Sequence, residues 1–385
     1  MEASEEKKEL ARELVSSTGV RLTPEPGPGK RDIEMERNLV LPGKAGGETK
    51  PSKYSSSSWA LLGFMRWILA CVVLMGHLEW FVPESNFTRT LWAFGGKAAV
   101  VGFFLISGLS VGYSYIERPQ GFYTRRLLRI YPLYLPAVLF SQFLVYITHP
   151  PLVFPHVTLI PGGIKTALAN LAMLQNFVAY PIPYNSPLWS ISCEVFCYLL
   201  APLFLRLPRR VLIGIILVSM LLFLFPANVL LYGYVVLVYL WAWLIGFLLA
   251  CDMRRVMGPM LLGIIGGVLV FLSKKITAEP LSVVTYAAAF GAVFAAPYLK
   301  FPQLLKNFMN WLGNLSYPLY LFQLPLCIFF YCIPHIRNIT VLISSVILST
   351  IVIYYVFDGW LKKVVWIPLI HAGSKGNTRR ERPFE

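Results

Sequence analysis

An apolar run at residues 59–82 carries three ionisable side chains, Arg66, His77 and Glu79. Each costs about 2.5–3.5 kcal/mol at the centre of a bilayer, so a membrane segment holding them has a functional reason to keep them. Arg66 and His77 are 11 residues apart. On a helix that spacing returns to within about 20° of the same face, displaced by about 16 Å along the axis. A second acidic residue, Glu194, stands in the run SPLWSISCEVFCYLL, one turn after Ser190. A carboxylate in hydrocarbon needs a partner, and His77 is the expected one. A histidine steered by a carboxylate is the unit of general-base catalysis, in which the acid fixes the tautomer and stabilises the imidazolium. The alternative is a structural ion pair between helices. A third element is cationic: FYTRRLLRIYPLYL brings Arg125 next to Arg126 and sets Arg129 three residues on, one helical face. Arginine forks bind phosphate bidentately; such runs also fix membrane topology or meet anionic lipid headgroups. Ser107, Trp189, Ser190, Tyr317, Tyr320 and Gln323 complete the set as oxyanion or acceptor contacts. Small hydroxyl residues in apolar helices serve packing equally well.

The elements that must position these groups are membrane helices. The chain has 385 residues, 56% apolar and only 14% charged, displaced well away from the roughly 25% charged content of soluble proteins. Apolar runs fall at 59–82, 96–116, 130–148, 187–205, 211–226, 229–250, 259–273, 281–299, 311–333 and 340–358. They predict an all-α polytopic bundle of about ten spans, those at 211–226 and 259–273 being the shortest. Residues 149–186 are broken by prolines and predict a long loop with one re-entrant or interfacial piece near Leu168–Phe177. Residues 1–57 hold ten basic and ten acidic residues with a Pro/Gly run. They read as a polar, mostly disordered tail in which Glu5–Val15 has the pattern of a short helix. Residues 58–360 form the membrane domain and 361–385 a basic tail.

The net charge of +15 does not signal nucleic acid, because the basic residues lie in the short gaps between apolar runs. Counted by side, with the amino terminus inside, 17 fall on the inner side after that tail and six on the outer. This predicts both termini in the cytoplasm. The six cysteines lack metal-type spacing and read as small packing residues, and no metal is expected.

Read in order, Arg66 and His77, then FFLISG (Phe103–Gly108), RLLRIYP (Arg126–Pro132), WSISCE (Trp189–Glu194) and LGNLSYPLYL (Leu312–Leu321) resemble the motifs of acyltransferase family 3, integral-membrane O-acyltransferases. The resemblance covers about residues 59–358. It implies transfer of an acyl group, commonly acetyl, from coenzyme A to a hydroxyl of a sugar, glycan or other small acceptor. It matches His77 to the family's essential histidine, Arg66 to its partner, Arg126 and Arg129 to the paired arginines holding coenzyme A phosphates, and Glu194 to the acid. The family's last motif ends in a histidine where this chain has Gln323. Arg125 joins the expected donor-binding set, and the expected partners are the bilayer, acyl-CoA and the acceptor. Direct attack on the thioester and an acyl-His77 intermediate both remain open. The competing class is a transporter or flippase for an anionic lipid or glycan precursor, with the same ionisable residues as a relay; the absence of internal repeats speaks against it.

Overall fold

The computed structural model describes residues 54–82, 86–148, 150–225, 233–251, 256–274 and 276–368. The expected helix at Glu5–Val15 and nearly all of both tails lie outside these residues. Among the described residues, twelve α-helices follow in chain order. α1 (Ser56–Leu78), α2 (Asn86–Trp92), α3 (Gly96–Glu117) and α4 (Phe122–Ile147) come first. A hairpin of β1 (Leu152–Phe154) and β2 (Val157–Leu159) follows, paired antiparallel with Val153 opposite Thr158. After it come α5 (Ile164–Leu171), a 3-10 turn at Pro183–Leu188, α6 (Trp189–Arg206), α7 (Arg209–Leu224) and α8 (Tyr234–Cys251). The chain continues through α9 (Met257–Leu272), α10 (Ser282–Ala295), α11 (Gln303–Cys332) and α12 (Ile339–Ile353). A π-helical segment, Tyr354–Trp366, follows directly.

A helix lies on each of the ten apolar runs. Among the described residues, seven helical stretches are long and apolar enough to cross a membrane. α7, α9 and α10 run only 16, 16 and 14 residues. The protein is a multi-pass helical membrane bundle. Two expectations need correction. The Ser55–Ser58 run belongs to α1 rather than to a tail: Ser55 and Ser58 form a reciprocal cap, each side chain bonded to the other's backbone N–H. The loop at 149–186 holds a hairpin as well as a helix, and its helix ends at Leu171, before the expected re-entrant piece is complete.

Three contacts set the depth of the functional side chains. α3 packs on α8 so closely that a Cβ on Gly246 would collide with the Leu105 carbonyl, the close approach that small residues permit in membranes. α1 packs on α11 in the same manner, a Cβ on Gly313 meeting the Gly63 Cα at 2.8 Å. Gly102 abuts Leu69 and Gly96 abuts Val73, so α1 and α3 are antiparallel. That register sets Ser107 level with Arg66 and carries His77 past the start of α3. Fully buried Trp241 and Trp243 fill the centre behind α3.

Polar side chains inside the bundle resolve backbone valences. Pro325 has no N–H to offer the Leu321 carbonyl one turn earlier. Asn185, fully buried, donates its Nδ2 to that carbonyl at 2.9 Å. Gln175 and Asn176 donate to the Leu188 and Trp189 carbonyls at 2.8 and 2.6 Å, fastening the long loop onto the start of α6.

Candidate active site

A cavity of about 390 Å3 lies between α1, α3, α4, α6, α11 and the π-helical segment. Its charged wall is made of Arg66, Arg126, Arg129, Glu194, Asp358 and Lys362. Hydroxyl groups of Ser107, Ser190, Tyr198, Tyr317 and Tyr320 share the wall. Four positive groups thus face two negative ones.

Glu194 sits a third of the way along α6, and Ser107 Oγ donates a hydrogen bond to its Oε1. Tyr198, one turn further on α6, donates a second. Arg126 and Arg129 lie within electrostatic reach. Arg126 is 94% buried; its guanidinium stacks over Phe122 and Tyr198 at 5.4 and 5.3 Å and reaches the Ser110 carbonyl at 3.3 Å. The Nε atoms of both Arg66 and Arg126 are buried without a partner. Arg66 shares the wall with Arg126 and Arg129 as well as with Glu194. A low-dielectric cavity holding more cation than anion is built for an anionic guest.

On the same wall the hydroxyls of Ser190 and Tyr320 meet at 2.6 Å, and both reach the Pro187 carbonyl, at 3.1 and 3.2 Å. Tyr317 donates to the Ile130 carbonyl at 3.1 Å, joining α11 to α4.

His77 does not meet Glu194. Its Nδ1 lies 2.9 Å from the Val73 carbonyl and its ring packs edge-on against Trp80 at 5.0 Å. A carbonyl only accepts, so Nδ1 carries the proton and neutral His77 keeps its lone pair on Nε2. The backbone one turn back thereby fixes the tautomer that the carboxylate was expected to fix. The physical reason is depth: Glu194 pairs with the middle of α3, level with Arg66, whereas His77 is in the last turn of α1, about 16 Å further on. Glu79 falls just past the helix end as its cap.

Other expected members also settle elsewhere. Arg125 turns back to the α3–α4 connection, bonding the Gln120 carbonyl at 2.5 Å and the Arg118 carbonyl, and is not part of the cavity wall. Trp189 packs at a tilt against Tyr239, ring centroids 4.9 Å apart, and is not part of the cavity wall. Gln323 is fully buried, with Nε2 on the Tyr320 carbonyl at 3.3 Å. Sequence reasoning missed Tyr198, Asp358 and Lys362. Tyr198 was detectable at i+4 from Glu194; Asp358 was detectable as the acid closing the final apolar run.

A sequence model described as an acyltransferase domain, that of acyltransferase family 3, matches residues 60–358. The chain belongs to that family. It is also similar to Acyltransferase MdmB of Streptomyces mycarofaciens, 31% identical over 157 residues, 38% of this chain. The match spans about two fifths, 39%, of MdmB's length. No solved structure matches. The family's domain thus spans the helices that line the cavity, and Arg66, Arg126, Arg129 and Glu194 all stand within it. Among the described residues no three His, Cys, Asp or Glu side chains converge as a metal site.

Proposed function

We propose that this acyltransferase takes an acyl group, acetyl by preference, from acyl-CoA and places it on a hydroxyl of a sugar, glycan or similar small acceptor. The observation carrying the donor class is the excess of cationic groups on the cavity wall, with buried guanidinium nitrogens left unpartnered. Arg126 and Arg129 take the phosphates, and Arg66 lies along the path of the pantetheine arm. The acyl end travels along the shared face of α1 toward His77, about 16 Å from Arg66. There His77 Nε2 removes the acceptor hydroxyl's proton as the oxygen attacks the thioester carbonyl. The C–S bond breaks and coenzyme A leaves as thiolate, to be protonated by the imidazolium. Ser190 and Tyr320, a hydroxyl pair on the cavity wall one turn from Glu194, are proposed contacts along the donor's path. Both termini are assigned to the cytoplasm and the protein to the cell membrane, so the arginine end of the cavity opens where acyl-CoA is found.

A second assignment of the base rests on one observation: Glu194 is on the cavity wall and already accepts a hydroxyl proton donor, Ser107. Purified protein with acetyl-CoA and a panel of saccharides, followed by thiol release and product mass, tests both. His77→Ala is expected to lower turnover at least about 100-fold with donor affinity retained, the scale of general-base catalysis. Near-wild-type turnover in His77→Ala, with turnover lost in Glu194→Gln, transfers the base role to Glu194.

A further inference from the structure

The π-helical segment Tyr354–Trp366 brings two charges to the cavity that neither the motifs nor the mechanism uses. Asp358 and Lys362 both line it and are paired with each other, Nζ to Oδ1 at 3.1 Å. Their side chains keep 28% and 26% exposure, so the pair is partly wetted, weak and exchangeable. The segment is pinned at both ends. Tyr355 OH accepts from Trp311 Nε1 at 3.2 Å, and Trp366 packs edge-on against Tyr131 at 5.6 Å. π turns are rare in proteins and concentrate at functional sites. Here one holds a lysine over the same cavity as Arg126 and Arg129.

We propose that Lys362 is a donor-specificity residue that binds a phosphate of the acyl donor by exchanging partners with Asp358. This rests on the acyl-CoA reading of the cavity. In the empty protein Asp358 holds Lys362 in place and reduces the positive potential at the cavity. When a nucleotide-bearing donor enters, a phosphate oxygen replaces the carboxylate on Nζ, and Asp358 turns to water. No covalent bond changes. A strongly hydrated, compact ammonium suits such an exchange better than a guanidinium locked in a fork. Asp358 thus competes with the donor's phosphate for Lys362 and leaves a ligand without a phosphate unaffected.

The test is equilibrium binding of three probes, coenzyme A, 3′-dephospho-coenzyme A and pantetheine, to the full chain in detergent. Wild type should bind coenzyme A at least ten times more tightly than pantetheine. Lys362→Met should weaken coenzyme A about tenfold and leave pantetheine unchanged; Lys362→Arg should stay within threefold of wild type. Asp358→Asn should tighten coenzyme A several-fold without moving pantetheine. The dephospho probe tells which phosphate is held: loss of the Lys362→Met effect on it points to the 3′-phosphate, persistence to the diphosphate. If wild type prefers coenzyme A but Lys362→Met and Asp358→Asn bind it as wild type does, this inference falls and the donor reading stands. If wild type shows no preference for coenzyme A over pantetheine, the donor reading falls and takes the inference with it. Should Lys362→Met lose pantetheine too, and so its fold, Asp358→Asn decides: unchanged coenzyme A binding overturns the proposal.

Discussion

The residue that concentrates the electrostatic problem of this fold is Glu194. Half-buried on the cavity wall, it is tolerated because Ser107 and Tyr198 both donate to it and the arginines of α4 lie close. Hydrogen bonds to charged groups contribute about 1.5–3 kcal/mol each. Ser107→Ala is therefore expected to cost about that much stability, read as a lowered unfolding midpoint in detergent, and coenzyme A should restore part of it by drawing the cationic wall together. An unchanged midpoint would mean that Ser107 is not a support of Glu194. Composition and motif order brought out most of these residues individually, since an Arg, Glu or isolated Ser among Leu, Val and Phe is conspicuous. The pairing escaped. Helix propensity and spacing say which face a residue occupies on its own helix but nothing of the register between helices, and a Glu194–His77 pair requires the two to share a depth. The observed depth is set by glycines whose packing partners lie far away in sequence: Gly102 against Leu69, Gly246 against Leu105.

Between elements, the working unit is a proline paired with a remote amide. Pro325 frees the Leu321 carbonyl within α11, and Asn185 from the 3-10 turn answers it. The same amide reaches Ser141 Oγ in α4 at 3.1 Å, so one side chain ties three elements beside the Ser190–Tyr320 pair. Removing a partner of a buried carbonyl costs about 1–3 kcal/mol, and Asn185→Ala should show that loss. In a Pro325→Ala background α11 regains an N–H for Leu321, and the cost of Asn185→Ala should shrink by more than half. Additive losses across the double-mutant cycle would refute the pairing. The sequence reads 149–186 as a loop broken by prolines. It did not reveal that the loop's amides complete the backbone of a helix 136 residues away, because such satisfaction is a tertiary property with no local pattern. The arginine helix shows the same limit: α4 starts at Phe122, eight residues before the apolar run it continues. Its first turns are polar on one face because that face lines a cavity rather than lipid, and an apolar count alone reads them as loop.

For the molecule as a whole, the proposed transfer to His77 requires two ends. The cationic wall lies toward the end where α1 begins and the π segment closes, while His77 lies in the last turn of α1 beside Trp80, at the end of the bundle that carries the hairpin. If the acyl group passes from one to the other, donor and acceptor approach from opposite faces of the membrane, and the chain must place those ends on opposite sides. Leu304, 84% exposed at the start of α11, and Val153, 73% exposed on the hairpin, report the two ends without touching the cavity. In a background with the six native cysteines replaced by Ala or Val, Leu304→Cys should react with a membrane-impermeant maleimide in inside-out vesicles and resist it in right-side-out cells. Val153→Cys should do the reverse. The basic-residue imbalance along the chain predicts this sense of orientation. Labelling of both from one side would contradict a through-bundle transfer and leave the cavity itself, with Glu194, as the place where donor and acceptor react. Labelling with the sense inverted would keep the two-ended geometry but put the arginine end away from the cytoplasm, removing the supply of acyl-CoA on which the donor assignment depends.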